Sequence, residues 1–224
     1  DVNKTLTEML DKAMGMPDQP PLFVPDPQVR YAQVPALVRP DTLQFDNGYG
    51  GFDAGSGDYV IHLAPDTRTP APWCNILAND GFGCLVSEAG LGMSWAVNSG
   101  EHRLTSWSND PVADLPSEVL YLRDEASGEV WTTTPQPIGQ DADCQIRHGS
   151  GFTTWAKNSH GLKQEVLCFV PDCDPVKVVR LRLSNPSDQP RRITASYYAH
   201  WLLGAVESAA RPHVISRYDT ELKA

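Results

Sequence analysis

Positive charge is scarce in this chain: its 224 residues hold 18 Lys and Arg against 28 Asp and Glu, a formal net charge of −10. Sequence-independent binding to nucleic acid or to an anionic membrane needs a basic face, so neither is expected as a partner, and any anion site must be local. Cysteine is sparse and odd in number, with Cys74, Cys84, Cys144, Cys168 and Cys173 showing no close paired spacing. A chain of this length needs no covalent staples to fold, and this usage predicts a reduced, cytoplasmic setting. No apolar run is long enough to span a bilayer and no signal-peptide pattern stands out, so the segment itself is expected to be soluble.

Motifs that carry chemistry are missing too. A nucleophile elbow needs Gly-x-Ser-x-Gly between a strand and a helix, whereas Gly149-Ser150-Gly151 has the wrong spacing and falls in a hairpin. The six histidines, His62, His102, His148, His160, His200 and His213, never stand at ligand spacing from one another, and Cys168 and Cys173 lack a second pair, so no metal site is assigned. No phosphate-cradling loop or dinucleotide fingerprint occurs. Asp46, Asp53, Asp110, Asp124 and Glu165 read as turn or rim carboxylates. No residue of the chain is therefore assigned a catalytic role.

What is present is punctuation and alternation. The chain holds 17 Gly and 19 Pro with 41% hydrophobic residues, a profile suited to one large all-β domain with a single core. Residues 3–14 predict a helix, with Leu6, Met9, Leu10 and Ala13 at helical spacing, a Thr5/Glu8 capping box and a Gly15, Pro17 stop; the segment is taken as 1–16. Residues 17–42 hold seven prolines and predict an extended linker. From Leu43 to the end, short runs alternate with period two between Gly, Asn, Asp and Pro, with hairpins at 124–128 and 149–151.

The last predicted strand, 191–203, places Ile193, Ala195, Tyr197, Ala199 and Trp201 on one face, read as the core face. Arg191-Arg192 reads as a solvated strand start. About a dozen strands joined by hairpins, without crossover helices, imply two packed antiparallel sheets.

Binding candidates come from the aromatics and one hairpin tip. Arg147 and His148 stand beside that tip, and Trp73, Trp95, Trp107 and Trp155 are available as sugar platforms. An indole face stacks on the apolar face of a pyranose, while a guanidinium grips hydroxyls or phosphate. The competing reading buries the tryptophans in the core. Arg147, His148, Trp73 and Trp155 are carried forward as the substrate-binding candidates.

Several segments resemble a known family: Leu-Gln-Phe-Asp-Asn-Gly-Tyr-Gly-Gly-Phe at 43–52, Asp-Tyr-Val-Ile at 58–61, Thr-Pro-Ala-Pro-Trp at 69–73, Tyr-Leu-Arg-Asp-Glu at 121–125 and Arg-His-Gly-Ser-Gly at 147–151. With 75–82 and 103–111, and in this order, they resemble the amino-terminal domain of glycoside hydrolase family 94, the inverting beta-glucoside phosphorylases once classed with glycosyltransferase family 36. The opening stretch looks most like the carboxy-terminal region of cyclic beta-1,2-glucan synthases and beta-1,2-oligoglucan phosphorylases.

The resemblance implies an antiparallel beta supersandwich of galactose-mutarotase-like kind over 43–224, truncated before an (alpha/alpha)6 barrel that holds the general acid and the phosphate site. It implies no cofactor, inorganic phosphate being the co-substrate of the full protein. Its implied partners are a beta-glucan oligosaccharide, the barrel and a second copy in a homodimer. The full protein would be anchored in the inner membrane if it is a cyclic glucan synthase. On this reading the 224 residues alone are inactive. The alternatives are a freestanding carbohydrate-binding sandwich and a supersandwich epimerase, which needs a Glu and a His facing one cleft.

Overall fold

The computed structural model describes residues 23–26 and 29–221, so the helix expected over 3–14 lies outside the described residues. Residues 29–42 form neither helix nor strand. They run along the sheets, where the Tyr31 hydroxyl meets Ser127 Oγ at 2.7 Å and the Asn158 amide donates to the Pro35 carbonyl at 2.8 Å.

Fifteen strands follow in chain order: β1 (Leu43–Gln44), β2 (Gly50–Asp53), β3 (Tyr59–Leu63), β4 (Cys74–Ala78), β5 (Phe82–Ser87), β6 (Gly90–Ala96), β7 (Arg103–Thr105), β8 (Glu118–Asp124), β9 (Val130–Thr132), β10 (Cys144–Gly149), β11 (Phe152–Ser159), β12 (Leu162–Phe169), β13 (Val178–Ser184), β14 (Ile193–Ala199) and β15 (Trp201–Gly204). One short helix, α1 (Glu207–Ala210), comes after them. The strands form a seven-stranded sheet in the order β1-β2-β3-β10-β11-β12-β13, a five-stranded sheet β15-β7-β6-β5-β4 and a three-stranded sheet β14-β8-β9. Their pairings are antiparallel, as expected where hairpins rather than helices connect neighbours.

Local chemistry fixes the turns. Gly151 takes φ +86° in the β10–β11 hairpin, a backbone state that costs glycine little. At the β8–β9 hairpin the Asp124 carboxylate accepts the Ala126 and Ser127 amides at 2.7 and 3.0 Å. At Gly50 a Cβ would stand 2.2 Å from the Val60 carbonyl oxygen, so only glycine lets β2 lie flush against β3.

The core is the seam between the seven-stranded sheet and the other two. Ile61, Ile146, Trp155, Val166 and Cys168 from the first pack on Leu77, Phe82, Cys84, Val86 and Leu91 from the five-stranded sheet, while Leu162 meets Leu122 and Trp131 of the three-stranded sheet. Strict alternation carries this: β11 buries every second residue, among them Thr153, Trp155 and Lys157.

One polar tie joins all three sheets. Lys177, just ahead of β13, donates to Glu118 Oε2 of β8 at 2.9 Å and to the Leu91 carbonyl of β6 at 2.6 Å. Glu118 also accepts Thr105 of β7 at 2.8 Å and the Tyr197 hydroxyl of β14. Burial pushes the Glu118 pKa up, but the Lys177 charge and its hydrogen bonds outweigh that and leave it below the usual carboxylate value. Burial likewise lowers Lys177, and Glu118 more than restores it, so its pKa is raised.

The structure departs from the sequence reading at several places, the first being that three antiparallel sheets stand where two were expected, because the strands facing the seven-stranded sheet are divided between two sheets. The strand expected over 191–203 is two strands in two sheets, broken at His200, whose amide donates to the Ser117 carbonyl at 2.8 Å while its carbonyl accepts the Ser106 amide at 3.0 Å. Tyr197 and Trp201, placed on a core face, are about half exposed because β14 and β15 are both sheet edges. Arg191 is no solvated strand start: it donates to Asp124 at 2.9 Å and to the His160 carbonyl at 2.8 Å, with its guanidinium 4.4 Å from the Tyr31 ring centroid.

Candidate functional site

Three of the four sequence candidates meet at one end of the seven-stranded sheet. Register does the positioning, since β10 lies between β3 and β11 and sets Arg147 opposite Val60 and Thr154, and His148 opposite Tyr59 and Thr153. The β2–β3 turn is shaped by the Asp53 carboxylate, which accepts the Gly55 and Ser56 amides at 2.9 and 3.1 Å. That turn stands over Arg147, which donates to Asp58 at 3.1 Å, to Asp53 at 3.3 Å and to the Ser56 hydroxyl at 3.0 Å. The Ser56 and Gly55 amides, with Arg147, hold the Asp53 pKa below the usual carboxylate range.

His148 points the other way, into protein. Its Nε2 lies 3.0 Å from the Trp73 carbonyl and its Nδ1 2.9 Å from the Thr153 hydroxyl. A carbonyl only accepts, so Nε2 carries a proton, and in the neutral imidazole Nδ1 then accepts the Thr153 hydroxyl. Burial pulls the His148 pKa down to about 4, with the Trp73 carbonyl opposing it. Asn75 completes the hairpin lock by donating to Gly149 O, Phe152 O and Thr153 Oγ1 at 3.0–3.1 Å.

Trp73 is partly buried in an aromatic cluster, edge-to-face with Tyr49 at 5.9 Å and with Tyr59 at 5.8 Å; Phe52 adds a contact to Tyr59 at 5.0 Å. Trp155 lies elsewhere. It is fully buried on the core face of β11, and its indole N–H donates to the Glu88 carbonyl at 3.1 Å, so neither ring face is open to a sugar. Of the four, Arg147, Trp73 and His148 are partly buried, with both ring nitrogens of His148 taken up by protein groups, and Trp155 is internal.

A buried carboxylate that sequence reasoning passed over explains the Thr69–Trp73 loop. Glu88 accepts the Thr69 hydroxyl and, at 2.7 Å, the Trp73 amide, so the loop wraps a charge that the strand turn places inside. Burial raises the Glu88 pKa. Asp114 nearby, also raised by burial, takes the Ser87 hydroxyl at 2.6 Å. The space between them holds about 30 Å³, room for a water but not for a sugar ring. The proline-stiffened Thr-Pro-x-Pro-Trp pattern was the available signal that something inside needed fixed donors.

Sequence reasoning also missed a polar and aromatic groove at the His200 break, of whose lining only Trp107 stood among its sugar-platform candidates. Among the described residues no group of three or more His, Cys, Asp or Glu is placed to hold a metal ion, and no helix is long and apolar enough to cross a membrane. The cysteines are free thiols, with Cys84, Cys144 and Cys168 buried.

The sequence profile of the Glycosyl hydrolase 94, supersandwich domain family matches residues 57–224. The chain is 36% identical over 200 residues to the cyclic beta-(1,2)-glucan synthase NdvB of Rhizobium meliloti (strain 1021), an alignment covering 88% of this chain and 7% of that protein. It is 31% identical over 173 residues to the N,N'-diacetylchitobiose phosphorylase of Vibrio furnissii, covering 76% of this chain and 21% of the relative. A 3-O-beta-D-glucopyranosyl-beta-D-glucuronide phosphorylase of Paenibacillus borealis is 27% identical over 149 residues, 66% of this chain and 18% of that protein. The chain thus spans less than a quarter of the length of these relatives. With three antiparallel sheets closing one seam and the profile covering all strands from β3 onward, the chain belongs to the glycoside hydrolase 94 supersandwich domain family.

Proposed function

We propose that this chain is the noncatalytic sandwich domain of a larger enzyme that phosphorolyses or synthesises beta-glucans, with inorganic phosphate as co-substrate and no cofactor. The observation that carries the reading is the family match together with the saturation of the Arg147–His148 end: each ionisable group there is held by a neighbouring protein group. A general acid needs a carboxyl group free to reach a glycosidic oxygen. Glu88 and Asp114, the two carboxyls raised by burial at one place, border a space too small for a pyranose.

In the full protein a carboxylic acid supplied by another domain would protonate the glycosidic oxygen while phosphate attacks the anomeric carbon from the opposite face. A phosphorolytic inverting site needs one carboxyl and an anion cradle rather than two carboxylates. The product would be alpha-glucose 1-phosphate. This domain's part would be to shape the entrance to that site or a homodimer interface, with the partly buried Arg147 and Trp73 as the pair able to touch saccharide. The setting would be cytoplasmic for this segment. The test is phosphate-dependent release of glucose 1-phosphate by the full-length gene product; no release from any beta-glucoside overturns the reading.

A further inference from the structure

The break at His200 builds a second surface feature. As β14 ends and the chain crosses to β15 in another sheet, a groove of about 400 Å³ opens, bordered by Trp107, Leu115, Tyr121, Tyr198, His200 and Glu207. That volume falls within the roughly 300–1,000 Å³ of small-molecule sites. Trp107 is 37% and Tyr198 50% exposed, although both are large aromatics that a finished core would cover.

The polar side of the groove is organised. His200 Nδ1 lies 2.8 Å from the Ser106 hydroxyl, and His200 Nε2 lies 3.3 Å from Glu207 Oε1. The Ser117 hydroxyl donates to the Ser106 carbonyl, and its oxygen sits 2.9 Å from Ser106 Oγ. Ser106 Oγ and Glu207 Oε1 stand at the two ring nitrogens of His200, so the imidazole is oriented by both neighbours. In this Ser-His-Glu chain the Ser106 amide is spent on the His200 carbonyl at 3.0 Å and is not free to serve an oxyanion.

The mixture selects a ligand class. Aromatic faces suit the C–H face of a pyranose, and an imidazole, hydroxyls and a carboxylate with spare lone pairs suit its ring hydroxyls. An anionic ligand would meet Glu207 on a chain of net charge −10. A purely apolar segment would cover Ser106, Ser117, His200 and Glu207 and cut their remaining polar valences off from water.

We propose that this groove binds a neutral pyranose unit of a beta-glucan, with Trp107 and Tyr198 giving ring faces and His200 and Glu207 taking hydroxyls. The proposal rests on the reading of the parent protein as a glucan enzyme. The experiment is calorimetric or NMR titration of the chain with beta-1,2-linked and beta-1,4-linked glucose tetramers, each at millimolar concentration. Binding of at least one tetramer is expected. Trp107→Ala and Glu207→Gln should each weaken it roughly tenfold, the loss of one ring face or one charged acceptor.

Trp201→Ala changes an exposed tryptophan outside the groove and should leave affinity unchanged, and circular dichroism would show that each variant is folded. Glu207→Gln, on the exposed α1, keeps the test informative should Trp107→Ala fail to fold. Failure of both tetramers to bind, or undiminished binding by folded Trp107→Ala or Glu207→Gln, overturns the proposal. Phosphorolysis by the full-length protein without binding here would sink the groove and leave the proposed function standing.

Discussion

Replacing Lys177 by Met should expose how much of the fold hangs on the tie between the three sheets. The ammonium is almost wholly buried and sits 2.9 Å from Glu118, itself 3% exposed, so the variant keeps the stem's packing and leaves a buried carboxylate without its counter-charge. Removing one member of such a pair costs about 3–5 kcal/mol, a large part of the ~5–15 kcal/mol that holds a domain together. The pH dependence carries the signature.

In the native protein the Glu118 pKa is lowered, so its contribution is present above the unfolded value and is lost as pH falls through the folded one. The Lys177 pKa is raised, so its contribution is present below its unfolded value and is lost as pH rises through the folded one. The pair therefore stabilises from about pH 4.3 to about pH 10.4. In Lys177→Met only burial and neutral donors act on Glu118, its pKa moves above the unfolded value, and stability falls as pH rises through the carboxylate range. Urea denaturation at pH 5 and pH 8 reads this directly. Lys177→Met should be less stable at pH 8 than at pH 5, and adding Glu118→Gln, which removes the stranded charge, should recover part of the loss. A cost under about 1 kcal/mol that is the same at both pH values would refute the reasoning.

Two further outcomes follow from the geometry. Trp155→Ala should cost about 3–5 kcal/mol in chemical denaturation, because it empties the centre of the seam and strips the Glu88 carbonyl of its donor. His148 should stay neutral from pH 8 down to about pH 5: its folded pKa lies near 4, so the native state loses stability as pH falls from about 6.5 toward 4, and NMR titration of the ring with denaturation of His148→Gln across that range checks both.

The sequence made the strands legible where one face is wet and the other dry. β11 alternates without error and its hairpin carries Gly151, so both were read from period and turn chemistry. β4 is not legible from period two, because Cys-Asn-Ile-Leu-Ala is apolar on both sides; Ile76 is exposed at a sheet edge while Leu77 is buried. The switch at His200 was invisible because alternation runs through it without Gly or Pro, and a period-two pattern cannot say which sheet receives the next strand. Arg191 was misread for a related cause: its partners Asp124, His160 and Tyr31 come from other segments, so adjacency in the chain says nothing of its burial.

Within the candidate site, the pairing of His148 with the hairpin was legible, but its inward aim was not. That direction depends on the Trp73 carbonyl, which lies 75 residues away in sequence. Glu88 went unnoticed because a charged residue in a turn is ordinarily solvated, and only the Thr69–Trp73 loop makes its burial tolerable. The family-like segments at 43–52, 58–61, 69–73 and 147–151 converge on this one end, supplying Tyr49, Phe52, Asp58, Trp73, Arg147 and His148.

The division of labour between this domain and the rest of its protein is tested most directly by assaying both for glucose 1-phosphate release from beta-1,2-linked and beta-1,4-linked glucose oligomers in the presence of phosphate. Release by the full-length protein and none by the 224-residue chain is the predicted result. Phosphate-dependent turnover by the chain alone would place an acid within these sheets and contradict the account.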